Sequence, residues 1–163
     1  MATAAEILRR LESINVIADT GTVIDKNVGA IYNLQYEQLE MGLGSDGKPL
    51  MSILDDPYFN GNKAKAWAYA TFKEAISKKY GFKTPFGQPN LFINGYTHDS
   101  LRIQRHGAEV HYTFGIPWAQ ELDVKYKGKE LGLSVDRRHI IKRDVIRPEL
   151  IEKYSKILGC RAK

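Results

Sequence analysis

The chain has 163 residues, of which 43% are hydrophobic and 26% charged, a size and balance that fit one domain (1–163) with a single core. It holds no run of about 18 apolar residues, which excludes an ordinary membrane-spanning helix, and its opening Met1-Ala2-Thr3-Ala4-Ala5-Glu6 lacks the basic start and apolar core of a secretory signal. One cysteine, Cys160, has no second thiol to pair with in the chain, and synthesis in a cytoplasm is expected. The net charge of +5 is unevenly spread: residues 1–82 carry 9 Lys/Arg against 10 Asp/Glu, whereas residues 83–163 carry 15 against 9. A basic half of this kind suits a solvated face, an acidic protein surface or nucleic acid.

In chain order, residues 3–13 predict a helix, with Ala4, Ile7, Leu8 and Leu11 on one face and Thr3 followed by Glu6 as a capping box. Residues 15–26 are rich in β-branched side chains without a sustained period, and read as an extended or loop segment. A second helix is expected over 28–41, with Ile31, Leu34, Gln38 and Leu39 as its stripe and Gly42 as its end, so that N-terminal helices occupy 3–41. Gly44 to Pro49 is a turn, 50–54 a short strand, and Asp55-Asp56-Pro57 its break. The strongest helix covers 62–80, with Ala66, Tyr69, Ala70, Phe72, Ala75 and Ile76 as its apolar face and Lys63, Lys65, Lys73 and Lys78 solvated. Residues 83–90 form a loop with two prolines.

Residues 101–114 predict a β-hairpin. Leu101 and Ile103 alternate with Arg102 and Gln104, and Val110, Tyr112 and Phe114 alternate with Glu109, His111 and Thr113. The intervening Arg105-His106-Gly107-Ala108 is expected as the turn. Gly115 bends the chain, and Pro117 suits the first turn of a helix carrying Trp118, Ala119 and Leu122. The hairpin's apolar face is expected on the 62–80 helix. Residues 124–131 read as a polar excursion around Gly128, 133–135 as a possible strand, and 148–158 as a last helix opened by Pro148 and followed by Gly159. The fold class that follows is α+β, with helices packed on one face of a small antiparallel sheet.

The layout over 91–122 resembles the tail-completion and virion-morphogenesis proteins of tailed bacteriophages. In that family a leucine precedes a Gly-containing loop, then a Ser-aliphatic strand, a turn, a second strand and an aromatic-Ala pair opening a helix. Here these are Leu91, Gly95, Ser100-Leu101-Arg102-Ile103, Glu109 to Phe114, and Trp118-Ala119. Upstream, Asn33 to Leu39 with Gly42 and Ser45-Asp46-Gly47-Lys48 is similar to a leader in relatives from phages of gut bacteria. Where the family usually has Asp-Thr-Gly and Arg-Pro-Phe, this chain has Ile93-Asn94-Gly95 and Arg147-Pro148-Glu149. The resemblance implies a structural, non-enzymatic subunit of a virion neck or tail, made in the host cytoplasm. It would form a homo-oligomeric ring of six or twelve copies, meeting portal, adaptor or tail proteins, with non-specific DNA contact in the channel as a further option and no membrane.

Signals for chemistry are sparse. Asp19-Thr20-Gly21 has the residue types of an aspartic protease, but that chemistry needs two carboxylates sharing a proton, and a loop turn is the better reading. His98-Asp99-Ser100 cannot converge as a triad from three consecutive positions, so Asp99 or Ser100 reads as a turn or cap residue. His106 and His111 flank the hairpin turn without a third ligand at useful spacing, so no metal is expected. No phosphate-binding Gly-rich loop is present and no cofactor is expected. The densest basic cluster is Arg137, Arg138, His139, Lys142, Arg143 and Arg147. Tyr126 and Lys127, in the loop with Lys125 and Lys129, and Arg137, Arg138, Lys142 and Arg143 are the expected subunit-interface residues. A small basic nucleic-acid-binding domain stays open as the alternative.

Overall fold

The computed structural model describes residues 3–107 and 109–159. Cys160 and the turn residue Ala108 lie outside the described residues. The element order is α1 (Ala4–Glu12), α2 (Val16–Lys26), α3 (Val28–Glu40), α4 (Lys63–Tyr80), a short α5 (Tyr96–Asp99), β1 (Leu101–His106), β2 (Glu109–Phe114), α6 (Ala119–Tyr126), α7 (Val135–Ile141) and α8 (Arg147–Leu158). The architecture is mixed α+β, with helices packed on a two-stranded antiparallel sheet.

The hairpin is the pivot. Leu101 pairs with Phe114, Ile103 with Tyr112 and Arg105 with Val110, so the alternation of apolar and polar residues puts one apolar face inward. Arg105 and His106 belong to β1, which shortens the connection to two residues. Two apolar clusters meet on that face. Leu39 of α3 packs with Leu101, Phe114 and Ile116, while Ile31 of α3 packs with Leu133 and Ile141; Ile103 touches both groups. The expected partner was the 62–80 helix; the observed one is α3, with α2 and α7 beside it.

The reason lies in α4 itself. Its buried positions are Ala66, Ala70, Lys73 and Ser77, spaced at helical periods, so its inner stripe is small and polar rather than aromatic. Phe72, expected in the core, is 50% exposed, and Lys73, expected in solvent, is buried. Asn62 caps the helix by accepting from the Lys65 N–H at 3.0 Å, and Gly81, with φ 74°, ends it.

Residues 15–26 form helix α2 instead of an extended segment. Asn15 accepts from the Ala18 N–H at 3.0 Å, supplying the cap that offsets the weak helix preference of Val16, Ile17, Val23 and Ile24. Gly21 gives the Arg105 guanidinium room to lie close: a Cβ there would meet it at 2.9 Å, and the side chain would have to shift. Arg105 thus lies across α2 and forks onto Asp25, Nε to Oδ1 at 2.9 Å and Nη2 to Oδ2 at 2.7 Å.

The stretch 50–54 is not a strand. A single bridge joins Leu43 to Pro49, and two 3-10 turns follow, Ile53–Asp55 and Pro57–Phe59. Ser52 and Asp56 each accept from a backbone N–H two residues on, an alternative to ladder pairing. The segment 130–134, running on from the expected excursion, is stitched to α3. Gln35 Nε2 donates to the Glu130 carbonyl at 3.1 Å, Gln38 Nε2 donates to the Gly132 carbonyl at 2.9 Å, and the Ser134 N–H donates to Gln38 Oε1 at 2.9 Å. With its acceptors and donors spent on α3, this segment forms no strand at 133–135, and α7 begins at Val135.

α7 and α8 are joined by a π turn over Lys142–Ile146, so helix runs from Val135 to Leu158 without a break. Pro148 accounts for the turn: it has no N–H to give the Asp144 carbonyl, and its ring crowds that oxygen. The Arg147 N–H reaches back to the Lys142 carbonyl instead.

Candidate interface around the basic helix

Charged residues at 136–147, expected between a strand and the last helix, are on α7, the π turn and the first position of α8. Arg137 points back onto α3. Its Nη1 donates to Glu37 Oε2 at 3.0 Å, and its side chain is only 13% exposed. Arg143 forks onto the adjacent Asp144, Nε to Oδ1 at 2.6 Å and Nη2 to Oδ2 at 2.7 Å, and this holds the Asp144 carboxyl below its usual range. Arg138 and Lys142 are exposed, and among the described residues neither has an ion pair. The four of these residues expected at an interface therefore divide into two guanidiniums already matched by carboxylates, Arg137 and Arg143, and two exposed cations, Arg138 and Lys142.

Beside Arg138 lies an open apolar trough of about 590 Å³ between hairpin and helix. Val110, Tyr112, Ile31 and Ile141 form its floor, with Arg138 on the rim. Such a surface can take an apolar side chain flanked by a carboxylate.

The second group of expected interface residues changes character. Tyr126, expected as an exposed aromatic between lysines, is the last residue of α6 and is 5% exposed. It sits four residues after the half-buried Leu122, on the inward face of the helix. Burial pushes its hydroxyl pKa well up, with Asp56 and Glu130 adding to the effect. Lys125 pairs with Asp56 and Lys129 with Asp46, the latter at 2.8 Å. Lys127, at φ 58° in the left-handed region that ends α6, stays exposed.

The remaining motifs have structural surroundings. Asp19, Thr20 and Gly21 lie inside α2, not in a loop turn, and Asp19 accepts from Lys153 Nζ at 2.5 Å. That hydrogen bond, outweighing burial, lowers the Asp19 pKa. His106 and His111 stand edge to face with centroids 4.9 Å apart, and His111 Nε2 lies 3.3 Å from Glu109. Among the described residues no three His, Cys, Asp or Glu side chains converge as metal ligands. No described helix is long and apolar enough to cross a membrane.

Two buried polar residues carried no sequence signal recognised as such. His98, in α5, is fully buried between Tyr36 and Phe92, with ring centroids 4.6 and 5.4 Å away, and its ring lies beside the Asn90 backbone. Burial draws its pKa down to about 4. Lys73, in the small-residue stripe of α4, donates to the Phe92 carbonyl, and burial lowers its pKa to about 8. The spacing Ala66, Ala70, Lys73, Ser77 is the signal that could have found it.

The chain matches no protein family, no curated protein and no solved structure.

Proposed function

We propose that this chain is a structural subunit of a tailed-phage virion, assembling head-to-tail into a ring in the neck or tail, in a head–tail joining, tail-completion or tail-terminating position. The observation that carries the reading is the unit formed by Leu91 to Tyr126. A glycine-bearing loop, a tight hairpin and the helix α6 follow one another in the order that the resembling family leads one to expect, with the short α5 added between loop and hairpin.

The surface supports the same reading. A closed ring of identical copies uses two different patches per subunit, one meeting the other on its neighbour. Ile7, Leu8, Val16 and Ile17 form exposed apolar surface on α1 and α2, while Tyr58, Trp67 and Phe72 do so on α4 and the turn before it. Large exposed apolar area of this kind marks interaction surfaces. The trough rimmed by Arg138 adds a site for a neighbour's carboxylate. The deciding experiment is cryo-electron microscopy and mass spectrometry of purified virions. Ring density in the neck or tail that accommodates this chain is the expected result; complete, infectious particles assembled in its absence would overturn the proposal.

A further inference from the structure

A cavity of about 160 Å³ lies between α4 and α6. Its walls include Ile53, Tyr69, Leu91, Trp118 and Leu122, and Lys73 lines it as well. Ile93 and Trp118 line it while remaining part-exposed, so it opens to solvent beside them. The volume is on the scale of an engineered cavity of about 150 Å³ that binds benzene.

The charge inside is out of balance. Lys125 and Asp56, also lining the cavity, pair with each other. Lys73 is 4% exposed, its Nζ donates to the Phe92 carbonyl, and among the described residues it pairs with no carboxylate. An ammonium has three donors and needs opposite charge when removed from water. One neutral carbonyl leaves two donors and the charge unanswered, and burial accordingly weakens its hold on the proton. A phosphate would call for more donors than one ammonium offers. A monoanionic carboxylate on a hydrocarbon body matches one ammonium among apolar walls.

We propose that this cavity binds a small carboxylate with an aromatic or branched aliphatic body, the carboxylate on Lys73 Nζ and the body against Tyr69, Trp118 and Leu122. The ligand is either a free acid or the carboxylate of a neighbouring polypeptide's chain end. The site belongs to the isolated chain and does not depend on ring formation.

Benzoate and its neutral analogue benzamide are titrated into the full chain while the amide resonances and the 15N resonance of Lys73 Nζ are followed by NMR. Benzoate is expected to saturate shifts at Leu91, Trp118 and Leu122. Benzamide should bind about ten- to a hundredfold more weakly, the factor that a charge-assisted hydrogen bond contributes. Lys73→Met, which keeps the length and loses the charge, should remove the preference for benzoate. The wild-type comparison of the two probes decides the matter even where that variant does not fold. A short peptide ending in Phe, as the acid and as the amide, separates the sources: binding of the acid alone supports a chain end, and binding of benzoate but neither peptide supports a free acid. No saturable benzoate shift, or equal affinity for benzamide, would overturn the site.

Discussion

Arg137 on α7 is tied to Glu37 on α3, with Nη1 and Oε2 3.0 Å apart and the guanidinium also resting near Met41 Sδ at 3.4 Å. The most prominent charge of the basic cluster is thereby part of the fold. Arg137→Glu would set two carboxylates against each other and loosen α7 from α3, so a lowered melting temperature is expected from circular dichroism. Arg138→Glu with Lys142→Glu reverses the outward pair instead. That double variant should melt like the wild type and fail to enter particles. Normal incorporation of the double variant would remove this surface from the assembly.

The placement of the hairpin on α3 is tested by two truncations. Leu39 is fully buried against Leu101 and Phe114. Leu39→Ala should cost about 2–5 kcal/mol, the range for a buried leucine that leaves a cavity. Phe72→Ala, on the exposed side of α4, should cost less than about 1 kcal/mol. Urea unfolding measures both; a larger loss at Phe72 than at Leu39 would contradict the packing.

His98 gives the fold an acid limb. Burial first, and the charge of Lys73 second, hold its folded pKa at about 4, while Asp99 and the Asn90 backbone pull the other way. In the unfolded chain the imidazole titrates near its ordinary value of 6.5. Between these values the unfolded chain takes up a proton that the folded one refuses. The contribution of His98 is therefore whole above about pH 6.5 and is lost as pH falls toward 4, by about 3 kcal/mol across the window. His98→Phe should flatten that limb. Parallel stability curves for the two proteins between pH 7 and pH 4 would assign the acid sensitivity elsewhere.

The apolar surface of α1 and α2 is the fourth test. A chain with 26% charged residues is expected to have little apolar surface to spare and to be at most weakly associated alone, yet Ile17 is 74% and Leu8 58% exposed. Leu8→Glu with Ile17→Glu should leave the melting temperature within a few degrees and reduce self-association in sedimentation velocity at high protein concentration. It should also lower incorporation into particles. Unchanged behaviour in both assays would leave this patch without a role in assembly.

What could be read from the sequence was local. The Thr3–Glu6 capping box forms as expected, with the Thr3 N–H 3.1 Å from Glu6 Oε2 and the Glu6 N–H 3.3 Å from Thr3 Oγ1. Gly42, Gly81 and Gly159 stop helices at positive φ, and the hairpin follows its alternation. The losses were where distant residues decide. α2 holds because Asn15 caps it and Arg105 crosses it, against the preferences of its own side chains. The 130–134 segment is shaped by two glutamines about a hundred residues earlier. Of the expected interface residues, Lys127, Arg138 and Lys142 are exposed, Arg137 and Arg143 are engaged within the chain, and Tyr126 is inside. A tyrosine between lysines reads as surface until the helix that carries it is known to turn it inward.

The π turn before Pro148 sets the phase of everything beyond it. Each α-helical residue turns the chain by about 100°, so one residue more or fewer in that turn would rotate α8 bodily about its own axis. In the observed phase Glu149 accepts from both Lys26 at 3.0 Å and Asn27 at 2.8 Å, and Lys153 reaches Asp19. Before the turn, Ile141 of α7 faces the hairpin. A straight helix would carry one stripe along its whole length; the wide turn lets a single rod present one side to the sheet and, a few residues later, a different side to the N-terminal helices. Residues 135–158 thus hold the sheet with one side and the N-terminal helices with another, and the change of side is set by one proline.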